Sequence, residues 1–100
     1  MKDNDRFERY KKQILEIVQA VLPGCKVYLF GSRARQEHDV GADIDIALDA
    51  GKKIEMKKIF AIKDKIEEST IPLFVDVVDL HDASEELKKE IQSEGVLWEN

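Results

Sequence analysis

Two aspartates one residue apart, Asp43 and Asp45, are the side chains of this sequence best suited to chemistry. They lie in the run Asp43-Ile44-Asp45-Ile46-Ala47-Leu48, whose alternation marks a strand with one acidic and one apolar face. Residues two apart on a strand project to the same side, with α-carbons about 6–7 Å apart. Their neighbours are apolar, so nothing local neutralises them, and like charges at a half-buried position repel and lose hydration. A bound divalent cation removes that penalty. Paired Mg²⁺ ions in two-metal sites stand about 3.5–4 Å apart, a span that two converging carboxylates bridge. Asp-x-Asp is a common pattern, and the alternative is a pair on the solvated face of an edge strand, although aspartate is disfavoured in strands.

Three further groups bear on that choice. Gly31-Ser32 follows a short apolar strand, and a strand that turns there into a helix presents backbone N–H groups and a hydroxyl as an anion site. Glycine lets the backbone approach a phosphate closely; by itself the pair reads equally as an ordinary turn with Ser32 as N-cap. Arg33 and Arg35 are placed to reach triphosphate oxygens or a partner molecule, or else to pair with nearby acids such as Glu37. Asp76 is flanked by Val75 and Val77, and a lone carboxylate in such a strand costs free energy unless it is paired, hydrogen-bonded or metal-bound. Parity puts Phe74, Asp76 and Val78 on one face and Val75, Val77 and Asp79 on the other. If its strand lies beside that of Asp43, three carboxylates converge. Asp79 reads more simply as the cap of the following turn.

The elements that must position these groups follow from the periodicities. Phe7, Tyr10, Ile14, Ile17, Val18 and Val21 mark an amphipathic helix over about Asp5–Leu22, with Asp5 and Glu8 as a capping box and Pro23-Gly24 as its stop. Lys26–Phe30 is a strand, Asp43–Leu48 a second. Lys53–Glu68 is a helix with Met56, Ile59, Phe60, Ile62 and Ile66 inward, Leu73–Leu80 a third strand, and Ser84–Ser93 a short helix ended by Gly95. Val96-Leu97-Trp98 is apolar enough to pack as a last strand. The order α-β-β-α-β-α(-β) predicts an α+β fold: a mixed sheet of three or four strands with helices mainly on one face.

The 100 residues suit a single domain, and 43% hydrophobic with 37% charged content describes a soluble protein with a heavily charged exterior. A net charge of −5 argues against a general nucleic-acid binder but not against a site that handles phosphate through metal. Cys25 is the one cysteine, so no intrachain disulfide forms; with no signal peptide and no membrane-spanning run, a cytoplasmic location is expected. His38 and His81 lack partners at zinc-ligand spacing. Lys52, Lys53, Lys57 and Lys58 read as a solvated face, and Tyr28 and Trp98 as packing residues.

Gly31-Ser32, ten intervening residues, Asp43-Ile44-Asp45 and a later strand bearing Asp76 resemble the signature of the polymerase-beta nucleotidyltransferase superfamily. The stretch GSRARQEHDVGADIDIAL is similar to its minimal nucleotidyltransferases, the MNT proteins encoded beside HEPN-domain toxins, as is the closing EGVLWEN. The resemblance implies one minimal nucleotidyltransferase domain over residues 1–100 with a palm-like sheet. It implies that Asp43 and Asp45 bridge two Mg²⁺ ions, that Asp76 completes one and aids deprotonation of the acceptor, and that Gly31 and Ser32 hold β- and γ-phosphates. The implied reaction is in-line attack on the α-phosphorus of ATP, leaving AMP on a tyrosine hydroxyl of a HEPN toxin, an antitoxin role. Two positions depart from the family: Gln36 stands where relatives often have glycine, and Ala42 where they often have serine. The chain has little room beyond Leu80, so another molecule or subunit, in a homodimer or hetero-oligomer, must present the acceptor.

Two other classes compete. A catalytically silent nucleotide- or partner-binding module neutralises a toxin by complex formation alone. A phosphatase of the haloacid dehalogenase type also uses Asp-x-Asp, but its motif ends a strongly apolar strand, whereas Val-Gly-Ala and a polar loop precede Asp43. An EF-hand lacks its glycine and its terminal glutamate after Asp45.

Overall fold

The computed structural model describes residues 3–98, with side chains from Asp5 onward. Helix α1 runs from Asp3 to Val21. It begins two residues before the expected capping box, so Asp5 lies within the helix and is not its N-cap; an acid there still complements the helix dipole. The apolar stripe docks as expected, with Ile14 and Val18 buried and Phe7, Tyr10, Ile17 and Val21 packed around them, and Leu15 is buried beside it. The turn after Pro23 is tied by Gln19, whose side chain accepts from Gly24 N at 2.8 Å and donates to Cys25 O at 2.8 Å.

Strand β1 (Lys26–Phe30) runs straight into the four-residue helix α2 (Gly31–Ala34), and β2 spans Ile44–Asp49. Helix α3 (Met56–Glu67) leads to β3 (Val75–Asp79). A 3₁₀ turn at Leu80–Asp82, helix α4 (Glu85–Glu94) and β4 (Val96–Trp98) complete the described chain. The sheet order is β3-β2-β1-β4. β1 is antiparallel to both its neighbours, while β2 and β3 are parallel, a pairing that requires the crossover helix α3. The sheet is therefore mixed and four-stranded, as predicted, and the tail supplies its fourth strand. Glu99 and Asn100, the end of the EGVLWEN motif, lie outside the described residues.

Val27, Leu29, Ile44, Ile46, Leu48, Val75 and Val77 point to one face, where α1 and α3 cover them. On the opposite face α4 packs Ile91 against Phe30 and Ala47. Helices thus lie mainly, but not wholly, on one side. Trp98 is buried and meets Phe7 edge-on at 5.9 Å, a packing residue as expected.

Helix α3 corrects two expectations. Met56 and Phe60 are 65% and 54% exposed, because Ile59, Ile62 and Ile66 already form the inward stripe. Phe60 follows Ile59 by about 100° of helical rotation and so turns off the core. The helix also starts three residues late, since Ile54 is buried ahead of it with its N–H bound to Asp79 Oδ2 at 2.8 Å. Asp79 Oδ1 accepts from His81 N at 3.0 Å, which is the capping role expected of it.

Candidate active site

Sheet topology brings three distant pieces of sequence to one end of the sheet. β1 ends where β2 and β3 begin, and the registers pair Phe30 with Asp45 and Asp45 with Asp76. Gly31 thus leaves the sheet beside Asp45, and Asp76 sits directly across from Asp45 on the edge strand. Asp43 falls one residue before β2 and is exposed. The adjoining Ile44 N–H donates to Phe74 O at 2.9 Å, which stitches the Asp43 segment to the one that precedes Asp76.

The electrostatics are those of uncompensated negative charge. Burial pushes the Asp45 carboxyl above its usual range, and the fields of Asp76, Asp43 and Glu90 push it further; Arg35 opposes them. Glu90 is a contributor that the sequence does not single out. Its sequence position on an amphipathic helix is visible, but which face of the sheet that helix covers is not.

Among the described residues, no group of three or more His, Cys, Asp or Glu side chains stands as a ready-made metal cage. The paired carboxylates Asp45 and Asp76, flanked by Asp43, nevertheless offer only hard oxygen donors with surplus negative charge, a donor set that fits Mg²⁺ rather than zinc.

Gly31 is constrained twice over. Its φ of +75° is left-handed, and a Cβ built there would run into Asp45 Oδ2 and stand 3.2 Å from Asp45 Cγ. Phe30, the N-cap of α2, is apolar and makes no side-chain cap hydrogen bond to the first turn.

The two arginines part company. Arg33 is only 5% exposed; its Nε donates to Ala42 O at 3.1 Å and its Nη2 to Val40 O at 2.9 Å, with the guanidinium 4.8 Å over the Phe7 ring. It holds the loop between α2 and β2 from inside, with its guanidinium engaged by that loop and by Phe7. Arg35 stays at the surface, bonded to Glu37 Oε1 at 2.7 Å and Glu94 Oε2 at 3.0 Å, and it ties α2 to α4 within the field of Asp45. The departure at Gln36 also has a structural meaning. Its φ is +60°, the left-handed region that glycine occupies without strain.

A second polar cluster lies at the far end of the sheet. His81 Nε2 is 2.7 Å from Asp49 Oδ1, and that bond, with one from Gly51 N, holds the Asp49 carboxyl below its usual range. Cys25 is buried there, its thiol pushed up to about 11 by desolvation and by the neighbouring Asp49. No helix among the described residues is long and apolar enough to cross a membrane.

The chain is similar in structure to a toxin–antitoxin crystallised with AMP-PNP, at 27% identity and a TM-score of 0.75, over 90% of this chain and 73% of that one. It is similar to the toxin–antitoxin MntA–HepT at 25% identity and a TM-score of 0.70, over 93% and 73% of the two chains. A third likeness, at 26% identity and a TM-score of 0.71 over 93% and 72%, is to the complex of a tri-AMPylated Shewanella oneidensis HEPN toxin with MNT antitoxin. No curated protein sequence matches the chain. The family model described as Polymerase beta, Nucleotidyltransferase matches residues 12–99, a span that holds the Gly31 turn and all three aspartates, and this chain belongs to that family.

Proposed function

We propose that this chain moves AMP from ATP to a tyrosine hydroxyl of a HEPN-domain partner, so that it acts as an antitoxin by covalent modification. The observation that carries the proposal is the register of Asp45 with Asp76 beside Gly31, at one sheet end where negative charge is left uncompensated. Asp43, Asp45 and Asp76 are the residues that would hold Mg²⁺, as two ions. Bound there, Mg²⁺ would stabilise the charge on the attacking and leaving oxygens. The N–H groups of Gly31 and Ser32 orient the β- and γ-phosphates, with Arg35 nearby. Asp76 takes the proton from the acceptor hydroxyl as its oxygen approaches the α-phosphorus. A cytoplasmic setting supplies ATP and keeps Cys25 reduced. The AMP-PNP complex and the tri-AMPylated HEPN toxin among the similar structures support ATP as donor and a protein as acceptor.

The competing reading is a silent module that neutralises its partner by binding alone. One experiment separates the two. The chain is incubated with a HEPN-domain partner, Mg²⁺ and either α-³²P-ATP or γ-³²P-ATP, beside Asp45→Asn. Protein-bound label from the α-position alone, absent with the variant, is the expected result. A stable complex with no label from either position would leave the binding module standing.

A further inference from the structure

A cavity of about 500 Å³ opens beside the site, between the last turns of α3 and the segment entering β3. Ile66, Glu67, Ile71, Pro72, Phe74 and Asp76 are among its lining residues. We propose that this cavity seats the acceptor protein, taking an aromatic or branched aliphatic side chain that flanks the modified hydroxyl.

The argument begins with the order of the strands. The site residues run across the sheet from Gly31 and Ser32 after β1, through Asp45 on β2, to Asp76 on β3, and β3 is the edge. In an in-line transfer the acceptor oxygen bonds to the α-phosphorus while the bond to pyrophosphate breaks on the opposite side. With the β- and γ-phosphates at Gly31 and Ser32, the acceptor approaches from the β3 side, and its hydroxyl proton leaves towards Asp76. The cavity lies on that side and has Asp76 in its wall, so a chain seated there carries its hydroxyl to the reacting end of the site.

Its lining defines the chemistry of the occupant. Phe74 is 65% exposed at the mouth although it lies only two residues before Asp76, and Ile71, Pro72 and Leu73 extend the apolar wall. Exposed aromatic surface that borders a catalytic carboxylate suits an apolar anchor. Glu67 and Lys63, on exposed positions of α3, supply one charge of each sign for the polar groups around that anchor.

The inference rests on the transfer reading above, and its test keeps the two apart. Phe74→Ala removes the exposed wall, Lys63→Trp fills the cavity from an exposed helical position, and Phe74→Leu is the conservative control. Initial rates of AMP transfer are measured against the HEPN-domain acceptor and against ATP as separate titrations. Loss of one buried anchor contact predicts that KM for the acceptor rises about tenfold or more with Phe74→Ala and Lys63→Trp, while KM for ATP is unchanged and Phe74→Leu retains most acceptor affinity. Transfer with an unchanged acceptor KM in both variants overturns the cavity assignment and leaves the transfer reading intact. A rise in KM for ATP instead assigns the cavity to the nucleotide and also overturns it. Failure of the wild-type chain to transfer AMP removes the underlying reading and the cavity proposal with it.

Discussion

Replacing Gly31 by alanine tests the site where backbone and chemistry meet. Two separate costs arise. The φ of +75° places an L-residue in the left-handed region, at about 1–2 kcal/mol, part of which is offset because alanine restricts the unfolded chain by about 0.4–1 kcal/mol. The new Cβ also collides with Asp45 Oδ2, and overpacking of that kind costs about 1–3 kcal/mol. The sum is a loss of about 2–4 kcal/mol. The two parts separate in an Asp45→Ala background, where the collision disappears and only about 1 kcal/mol from the backbone remains. The difference is a coupling energy of about 1–3 kcal/mol between positions 31 and 45. Urea unfolding followed by Trp98 fluorescence measures it, since this one tryptophan is buried against Phe7 and reports on global unfolding. Equal costs in both backgrounds would refute the contact between Gly31 and Asp45. No cost in either would refute the left-handed backbone as well.

Other perturbations carry their own signs. Gln36→Gly relieves a left-handed glutamine and should stabilise the fold by about 0.5–1 kcal/mol after the entropy of glycine is counted, raising the melting temperature by a few degrees in calorimetry; an unchanged or lower value counts against this backbone. Arg33→Ala strips hydrogen bonds from the Val40 and Ala42 carbonyls and should cost about 2–4 kcal/mol in denaturant titration, with Arg33→Lys restoring only part; a neutral Arg33→Ala would show that the loop does not depend on it. The Asp49 carboxyl is held below its ordinary value of 3.8, so its contribution is present above that value and fades as pH falls through the depressed one. Asp49→Asn should therefore cost under about 1 kcal/mol near neutrality and nothing in strong acid; a penalty that is constant with pH would contradict the His81 and Gly51 bonds as its source.

Two features of the structure lie beyond what local sequence carries. Periodicity placed Ile59, Ile62 and Ile66 correctly, yet it also counted Met56 and Phe60, because a helical wheel admits more apolar residues than one docking stripe can bury. Arg33 and Arg35 look alike in sequence. One lies inside, over Phe7, and the other lies outside between two glutamates, and their partners at Val40, Ala42 and Glu94 are set by how the loop and α4 fold back.

What the sequence determined by itself was local. Alternation in Asp43–Leu48, the strand-to-turn step at Gly31 and the valines around Asp76 each reflect dihedral preference and burial over a few residues, and these signals do not depend on the rest of the chain. The tertiary structure alone decided that β2 and β3 run parallel in a register that sets Asp45 opposite Asp76, and that β1 ends beside them. It also decided that α4 crosses to the site face with Glu90 and Glu94. These pairings join residues dozens of positions apart. They are selected by which arrangement buries the most apolar surface while satisfying the backbone, a property of the whole chain that no short window contains.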